Sequence, residues 1–381
     1  MSQKHHQAPA AKKRSRPRAM WTIVPLLLLA VAMAIAGCSS AEESQAAPSA
    51  SSTLTTTEAA PPSTAVTPVG FEELLAEQAD AVPVPADQGA FLVVVVDENG
   101  AVSHGAKGAD PDGNPPTPDD TFRIGSITKV FTSAVVMTLV DEGLVELDAP
   151  ASDYVTRVAV PVDVTVRDLL QHTSGITNYT DKPDFFPTTF SDPAQTWTPR
   201  SIFAFVEDDE PLFEPGARFS YSNTNYLILG LLVEEVTGRE YAAEVRARIV
   251  DPLALQSTYL AGVEEGPAPF TAYTSASGTL EPIDFEYTSI ATGAWAAGAM
   301  VSSPGDLHTL FTALFDGQIV SASSLAAMTA NEEYGLGIVS AVVADGTYGH
   351  GGGIPGYVTL VAHAPDTGRT AFWVVTGDTL T

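Results

Sequence analysis

The chain holds one cysteine in 381 residues, Cys38. No disulfide can form within it, so the core must hold by packing alone. Basic side chains are also scarce, with 18 Lys and Arg against 46 Asp and Glu. Six of the 18 (Lys4, Lys12, Lys13, Arg14, Arg16, Arg18) fall in the first twenty residues, where no acidic residue stands; the remainder carries 12 against 46, a net charge near −34. Nucleic acid and anionic lipid headgroups are poor partners for such a surface. No internal repeat is found, and one long apolar run stands out, Trp21 to Gly37.

A basic segment followed by an apolar run is the layout of a secretory signal. The run ends in "IAGC", which resembles a bacterial lipobox with Ile35 where leucine is commoner. Residues 1–37 are then a lipoprotein signal peptide, and cleavage leaves Cys38 diacylated, tying the protein to the membrane through lipid. An uncleaved anchor of about 17 residues is the alternative, at the short end for a spanning helix. Either way the body is expected outside the cytoplasmic membrane and tethered to it. Residues 38–70 are nearly all Ser, Thr, Ala, Pro and Glu, with too little apolar surface to offset the entropy of ordering. They read as a disordered stalk. Residues 71–381 form the working domain, long enough for a large core.

Within it, "FEELLAEQADAV" (71–82) has the apolar spacing of a short helix, and "AFLVVVVDENGAVSHGAKG" reads as two strands joined at Asn99-Gly100. Ser126 to Glu142 is helical in pattern and stops at Gly143. Between 143 and 285 the segments "TVRDLLQHTSG", "SIFAFVEDD" and "SNTNYLILGLLVEEVTG" have helical period, and no run alternates like a sheet. After 285 come a helix opened by Ser303-Pro304 and three strand-like runs, "YGLGIVSAVVA", "GYVTLVAHA" and "RTAFWVVTG". Their links, "DGTYGHGGGIP" and "PDTG", are turn-rich. This order predicts an α/β protein of the α+β type: an antiparallel sheet built from both ends of the chain (about 71–142 and 286–381), flanked by helices, with a helical region (about 143–285) inserted.

The chemistry begins at "GSITKVF", where Ser126 and Lys129 stand three apart and share one helix face. A free lysine, with a pKa near ~10.4, cannot take a proton from serine at neutral pH. One stripped of water can, and a base within reach of a hydroxyl is how a serine nucleophile is activated. Alone, Ser-x-x-Lys is a weak signal. It is joined by "YSNTNY", where an extended Tyr221-x-Asn223 sends both side chains the same way, and by "GHGGGIPGY", where His350 precedes Gly351, Gly352 and Gly353, which let a backbone approach a ligand closely. The local alternatives are an N-cap at Tyr-Ser-Asn and a bulged hairpin turn at the glycines.

Together these residues resemble the serine β-lactamase and penicillin-binding-protein family, in the branch of class C β-lactamases, secreted D-alanyl-D-alanine carboxypeptidases and related esterases. Further blocks in family order carry the likeness, among them "LLQHTSGITNY", "EPGARFSYSNTNYLILGLLVEEVTG" and "WAAGAMVSSPGDLHTLFTAL". The resemblance implies a β-lactamase/transpeptidase-like fold in which Ser126 is acylated, Lys129 and Tyr221 manage protons, and Asn223 binds the substrate and the lysine. Which of Lys129 and Tyr221 is the base stays open. It further implies that His350 edges the site with the glycines, and that the backbone N–H groups of Ser126 and Gly353 form an oxyanion hole. No cofactor or metal is implied. His172 reads as structural, and Trp295 either as pocket wall or as part of a sheet-packing layer.

The expected activity is that of a membrane-tethered serine hydrolase, foremost a D-alanyl-D-alanine carboxypeptidase acting on peptidoglycan-derived peptides. An esterase, a β-lactamase and a non-catalytic penicillin-sensing lipoprotein are the alternatives. Two departures matter. Gly351 and Gly353 stand where carboxylate-binding relatives often carry hydroxyls, which favours a neutral ester or amide. The sequence also lacks the C-terminal helix that relatives lay on the sheet. That face is then exposed, or covered by another segment or chain, or the sequence is a truncation.

Overall fold

The computed structural model describes residues 71–377 apart from 83, 85–88, 275–280, 284–286 and 332–333. The expected signal peptide, Cys38 and the stalk lie outside the described residues.

Helix α1 (Phe71–Ala81) precedes a hairpin of β1 (Ala90–Val96) and β2 (Val102–Gly108). The hairpin turns at the expected place: Asp97 Oδ1 accepts from the backbone N–H of Asn99 and Ala101 at 2.9 and 2.8 Å, and Gly100 takes φ +80°. A short strand β3 (Phe122–Arg123) leads into a 3-10 turn, Gly125–Ile127, and helix α2 (Thr128–Asp141). Helices α3 (Val166–Gln171), α4 (Phe185–Ser191), α5 (Pro199–Phe203), α6 (Asn223–Thr237) and α7 (Tyr241–Val245) follow. After the two-residue strands β4 (Tyr259–Leu260), β5 (Tyr273–Thr274) and β6 (Glu281–Pro282) come α8 (Thr288–Gly298), β7 (Met300–Ser302), α9 (Pro304–Phe315) and α10 (Ala322–Met328). Strands β8 (Val339–Ser340), β9 (Tyr348–Ile354), β10 (Tyr357–Ala364) and β11 (Arg369–Thr376) complete the order. Among the described residues no helix is long and apolar enough to cross a membrane.

The main sheet has six antiparallel strands in the order β2-β1-β11-β10-β9-β8. Its centre joins the two ends of the chain, with Ala90 opposite Thr376 and Val96 opposite Thr370. The uninterrupted apolar run of β1 fits this place, because both faces are covered. Leu92, Val94 and Val96 enter the core that holds Phe122, Phe131 and Phe372, while Phe91, Val93 and Val95 face Leu75 and Ala79 of α1. On that second face Trp373 and Val375 are buried too, together with Val82 and Val84. On this face α1, Val82 and Val84 take part in the packing, while Val358 and Leu360 of β10 are only partly buried.

Three expectations need correction. The glycine-rich link 348–354 is strand β9, hydrogen-bonded to β10 from Tyr348↔His363 to Ile354↔Tyr357. Conversely, "YGLGIVSAVVA" yields only β8; Ala341 takes φ +52°, and the Thr347 hydroxyl accepts from the N–H groups of Val343 and Ala344, folding the chain into a turn. The region 143–285 also contributes β4, which pairs with β7 in a small β3-β7-β4 sheet. A strand of two residues leaves no alternating pattern to read.

Candidate active site

Ser126 lies in the 3-10 turn and Lys129 in the first turn of α2, and their side chains meet: Lys129 Nζ is 3.0 Å from Ser126 Oγ. Lys129 is completely buried. Its other partners are Asn223 Oδ1 and the carbonyl oxygen of Ala297, each at 2.7 Å. The Ala297 carbonyl belongs to the last turn of α8, where carbonyls have no partner inside the helix. Among the described residues no carboxylate forms an ion pair with Lys129, and burial holds its pKa well below the ordinary lysine value. The nitrogen also lies 4.9 and 5.2 Å from the ring centres of Tyr221 and Tyr226.

Tyr221 donates from its phenol to Ser126 Oγ at 2.8 Å. Burial raises its pKa, an effect reduced by the bond to Ser126, so the phenol stays protonated. Ser222 is extended (φ −144°, ψ 117°), which throws Tyr221 and Asn223 to the same side as expected. The anticipated cap by this segment is absent: the Ser222 hydroxyl makes no capping bond, and the N–H of Asn223 is instead accepted by Asn178 Oδ1 at 3.0 Å. Asn223 Nδ2 donates to the Thr180 hydroxyl at 3.2 Å. Asn178 and Thr180, in "GITNYT", thus orient the asparagine that receives Lys129. Nothing in their spacing announced it.

Strand β9 runs past Ser126. Gly125 has φ +52°, and a Cβ there would come within 2.8 Å of the Gly353 nitrogen, so two glycine backbones are in direct contact. A Cβ on Gly352 would sit 2.0 Å from the Ile124 carbonyl oxygen and 2.3 Å from Thr359 Oγ1. At Gly353 nothing lies within 4 Å of that position, and at Gly351 only the Thr359 carbonyl oxygen does, at 3.8 Å. The missing hydroxyls at 351 and 353 are therefore no steric necessity.

The cleft at Ser126 holds about 490 Å³ of empty space open to solvent and is lined by Asn223, Gly353, Tyr179, Phe185, Phe186, Ile290 and Gly293, among others. Its described lining contains no Arg or Lys. Ser126, Asn223 and Gly353 are brought together as expected. His350 is not among them. Alternation along β9 turns it inward with Gly352, where it is buried, with Nε2 2.8 Å from the Tyr334 hydroxyl and Nδ1 on the Gly351 carbonyl. Burial, with Lys129 nearby, lowers its pKa to about 3. Gly351 and Gly352 shape the strand without lining the cleft.

Trp295 corrects both expectations. It lies in α8, not in a sheet layer, and outside the cleft lining. Its ring stands 5.2 Å from that of Tyr241 and occupies the space left by the missing side chain of Gly230. Its backbone breaks the helix at φ +35°.

Comparison with known proteins places the chain among relatives of the same fold. The protein-family model described as Beta-lactamase matches residues 81–381. A D-stereospecific amidohydrolase from Streptomyces sp. superposes with a TM-score of 0.70 at 33% identity, over 81% of this chain and 94% of that one. Penicillin-binding protein 4 of Amycolatopsis lactamdurans is 36% identical over 37% of this chain and 36% of its own length. Teichoic acid D-alanine hydrolase of Staphylococcus aureus is 28% identical over 51% of this chain and 46% of its own. The chain thus spans about half the length, or less, of these curated relatives.

Proposed function

The chain belongs to the beta-lactamase family; from that premise we propose that it is a serine hydrolase, that Ser126 is its nucleophile and that it cleaves D-amino-acyl amides or esters. The observation that carries the nucleophile is the buried Lys129, which among the described residues has no ion pair and three hydrogen-bond partners, one of them Ser126 Oγ. In its neutral form the amine has two N–H bonds, and two carbonyl oxygens, of Asn223 and Ala297, are placed to accept them. The lone pair then faces the serine hydroxyl. Lys129 takes the Ser126 proton as Oγ attacks the acyl carbonyl. The oxyanion is held by the backbone N–H groups of Ser126 and Gly353. Tyr221, which stays protonated, gives its proton to the leaving nitrogen or oxygen, and the Lys129 proton replaces it. In deacylation the same groups run in reverse, taking a proton from water.

The substrate class rests on what the cleft lacks. A terminal carboxylate would meet neither a cation in the described lining nor a hydroxyl at 351 or 353, and hydrogen bonds to a charged group are worth about 1.5–3 kcal/mol each. An amide or ester has no such need, and Phe185, Phe186 and Ile290 offer its acyl side chain an apolar wall. The names of the amidohydrolase and of the D-alanine hydrolase support the D-configuration. The D-alanyl-D-alanine carboxypeptidase is the second reading, favoured by the penicillin-binding relative. A position outside the cytoplasmic membrane, anchored through Cys38, rests on the leader.

Hydrolysis of D-alanine amide and D-alanine methyl ester, measured beside a blocked D-Ala-D-Ala peptide and the L-forms with Ser126→Ala as control, tests this. The D-amide and D-ester should turn over at least tenfold faster than the rest, and only with Ser126. Faster release of D-alanine from the peptide would put the carboxypeptidase first.

A further inference from the structure

His172 closes α3 in the left-handed conformation (φ 60°) and is fully buried beneath the site. It grips the segment carrying Tyr221 on both sides. Its carbonyl oxygen accepts the N–H of Ser220 at 2.8 Å, and its Nδ1 accepts the N–H of Ser222 at 3.1 Å. Between these two bonds the Tyr221 ring lies 4.2 Å from the imidazole, tilted by 37°. Tyr334 stands edge-on to the imidazole at 4.8 Å, and Tyr334 is itself bonded to His350.

The identity of the ring is informative. Accepting at Nδ1 puts the proton on Nε2, and Nε2 is buried with no hydrogen-bond partner among the described residues. A buried donor without a partner is destabilising. If packing were the whole role, a phenyl ring would fill the place without that penalty. What phenylalanine lacks is the acceptor that holds Ser222, the residue between Tyr221 and Asn223.

We infer that His172 is a positioning residue, which through the Ser222 N–H and the face of its ring fixes the Tyr221 phenol at Ser126. This rests on the proton-donor role given above to Tyr221. A group misplaced by ~1 Å can cost about 100-fold in rate, so a device of this kind has kinetic consequences out of proportion to its contacts.

The test is a double-mutant cycle of His172→Phe and Tyr221→Phe, read as kcat and KM for a D-alanine ester. Each preparation is normalised to the fraction that forms a Ser126 adduct. His172→Phe, which keeps a ring and loses the acceptor, should lower kcat by about 10- to 100-fold with KM within twofold. In the Tyr221→Phe background it should cost less than a further twofold. Independent, multiplicative losses would overturn the inference, as would an unchanged kcat accompanied by lower thermal stability. Should His172→Phe fail to fold, His172→Asn and His172→Ala decide instead. Asn Oδ1 stands where Nδ1 stood, and it should retain about tenfold more kcat than alanine; equal rates would overturn the role. Full activity in Tyr221→Phe alone would remove the proton-donor reading itself, and this inference with it.

Discussion

The two ends of helix α2 treat a cation in opposite ways. At the C-terminal end Arg248 meets Glu142 and Glu244, each at 2.6 Å, and Glu244 also holds Arg239 at 2.8 Å. The hydrogen bond to Glu142 leads the effects that raise the Arg248 pKa, and the charge is locked in place. At the N-terminal end Lys129 is more deeply buried and meets only neutral oxygens. The fold can evidently supply carboxylates to a cation where it needs a fixed charge. Withholding them at Lys129 leaves an amine that can give up its proton, which is the property a base for Ser126 requires.

The sharpest way to break this comparison is to replace Lys129→Met. Acylation should fall by about 10³-fold or more, since both proton transfer and activation of the nucleophile are lost. The melting temperature should stay level or rise, because folding no longer has to desolvate a lysine amine and hold its pKa down, and an apolar side chain of similar length takes its place. Calorimetry beside a stopped-flow acylation assay checks both halves; a large loss of stability would mean that Lys129 is structural.

Glu244→Gln should do the reverse. The cluster loses one charge between two arginines that are partly exposed, so the discounted cost is about 1–3 kcal/mol in urea unfolding. Acylation per folded molecule should be unchanged. A matching loss of rate would mean that the two ends of α2 are coupled.

Smaller effects separate neighbouring glycines. Gly352→Ala drives a methyl into the Ile124 carbonyl and should cost about 1–3 kcal/mol as overpacking, disturbing the turn that holds Ser126. Gly353→Ala meets nothing within 4 Å and should alter stability by no more than ~0.5 kcal/mol. Equal destabilisation of the two variants would contradict the register of β9 against the site.

Stability should also depend on pH in a defined sense. His350 and His363 have pKa values lowered to about 3 and about 4, in both mainly by burial. The unfolded chain therefore binds protons that the folded one refuses between these values and the ordinary histidine pKa of ~6.5. Stability is full above that pH and declines as pH falls from there towards 3. Lys129 acts in the alkaline range. The unfolded state holds its proton up to pH ~10.4, the folded state loses it sooner, and stability rises with pH between the two. Thermal melts across pH, with Lys129→Met lacking the alkaline rise, read out both windows.

Much of the site was legible because its strongest signal is local. Ser126 and Lys129 needed only the three-residue spacing of a helical turn, and the alternation across Ser222 aligned Tyr221 with Asn223. The Ala297 carbonyl, Asn178 and Tyr334 were invisible for the converse reason: each reaches the site from a distant segment, through backbone or hydrogen-bond geometry that leaves no periodic mark. Strand β9 was hidden by its own composition. Its glycines have little strand preference, and what makes it a strand is backbone pairing with β10 along its length. That same pairing sets the parity that turns His350 inward. Trp295 misled because its place depends on a break in α8 and on the gap at Gly230.

The most direct test of a neutral lysine acting on Ser126 is the rate of adduct formation with a chromogenic acyl ester, followed by intact-protein mass from pH 5 to 11. The adduct should map to Ser126, vanish in Ser126→Ala, and form along a rising limb whose midpoint lies well below ~10.4, with that limb absent in Lys129→Met. An adduct elsewhere, or a limb at the ordinary lysine pKa that survives replacement of Lys129, would contradict the account.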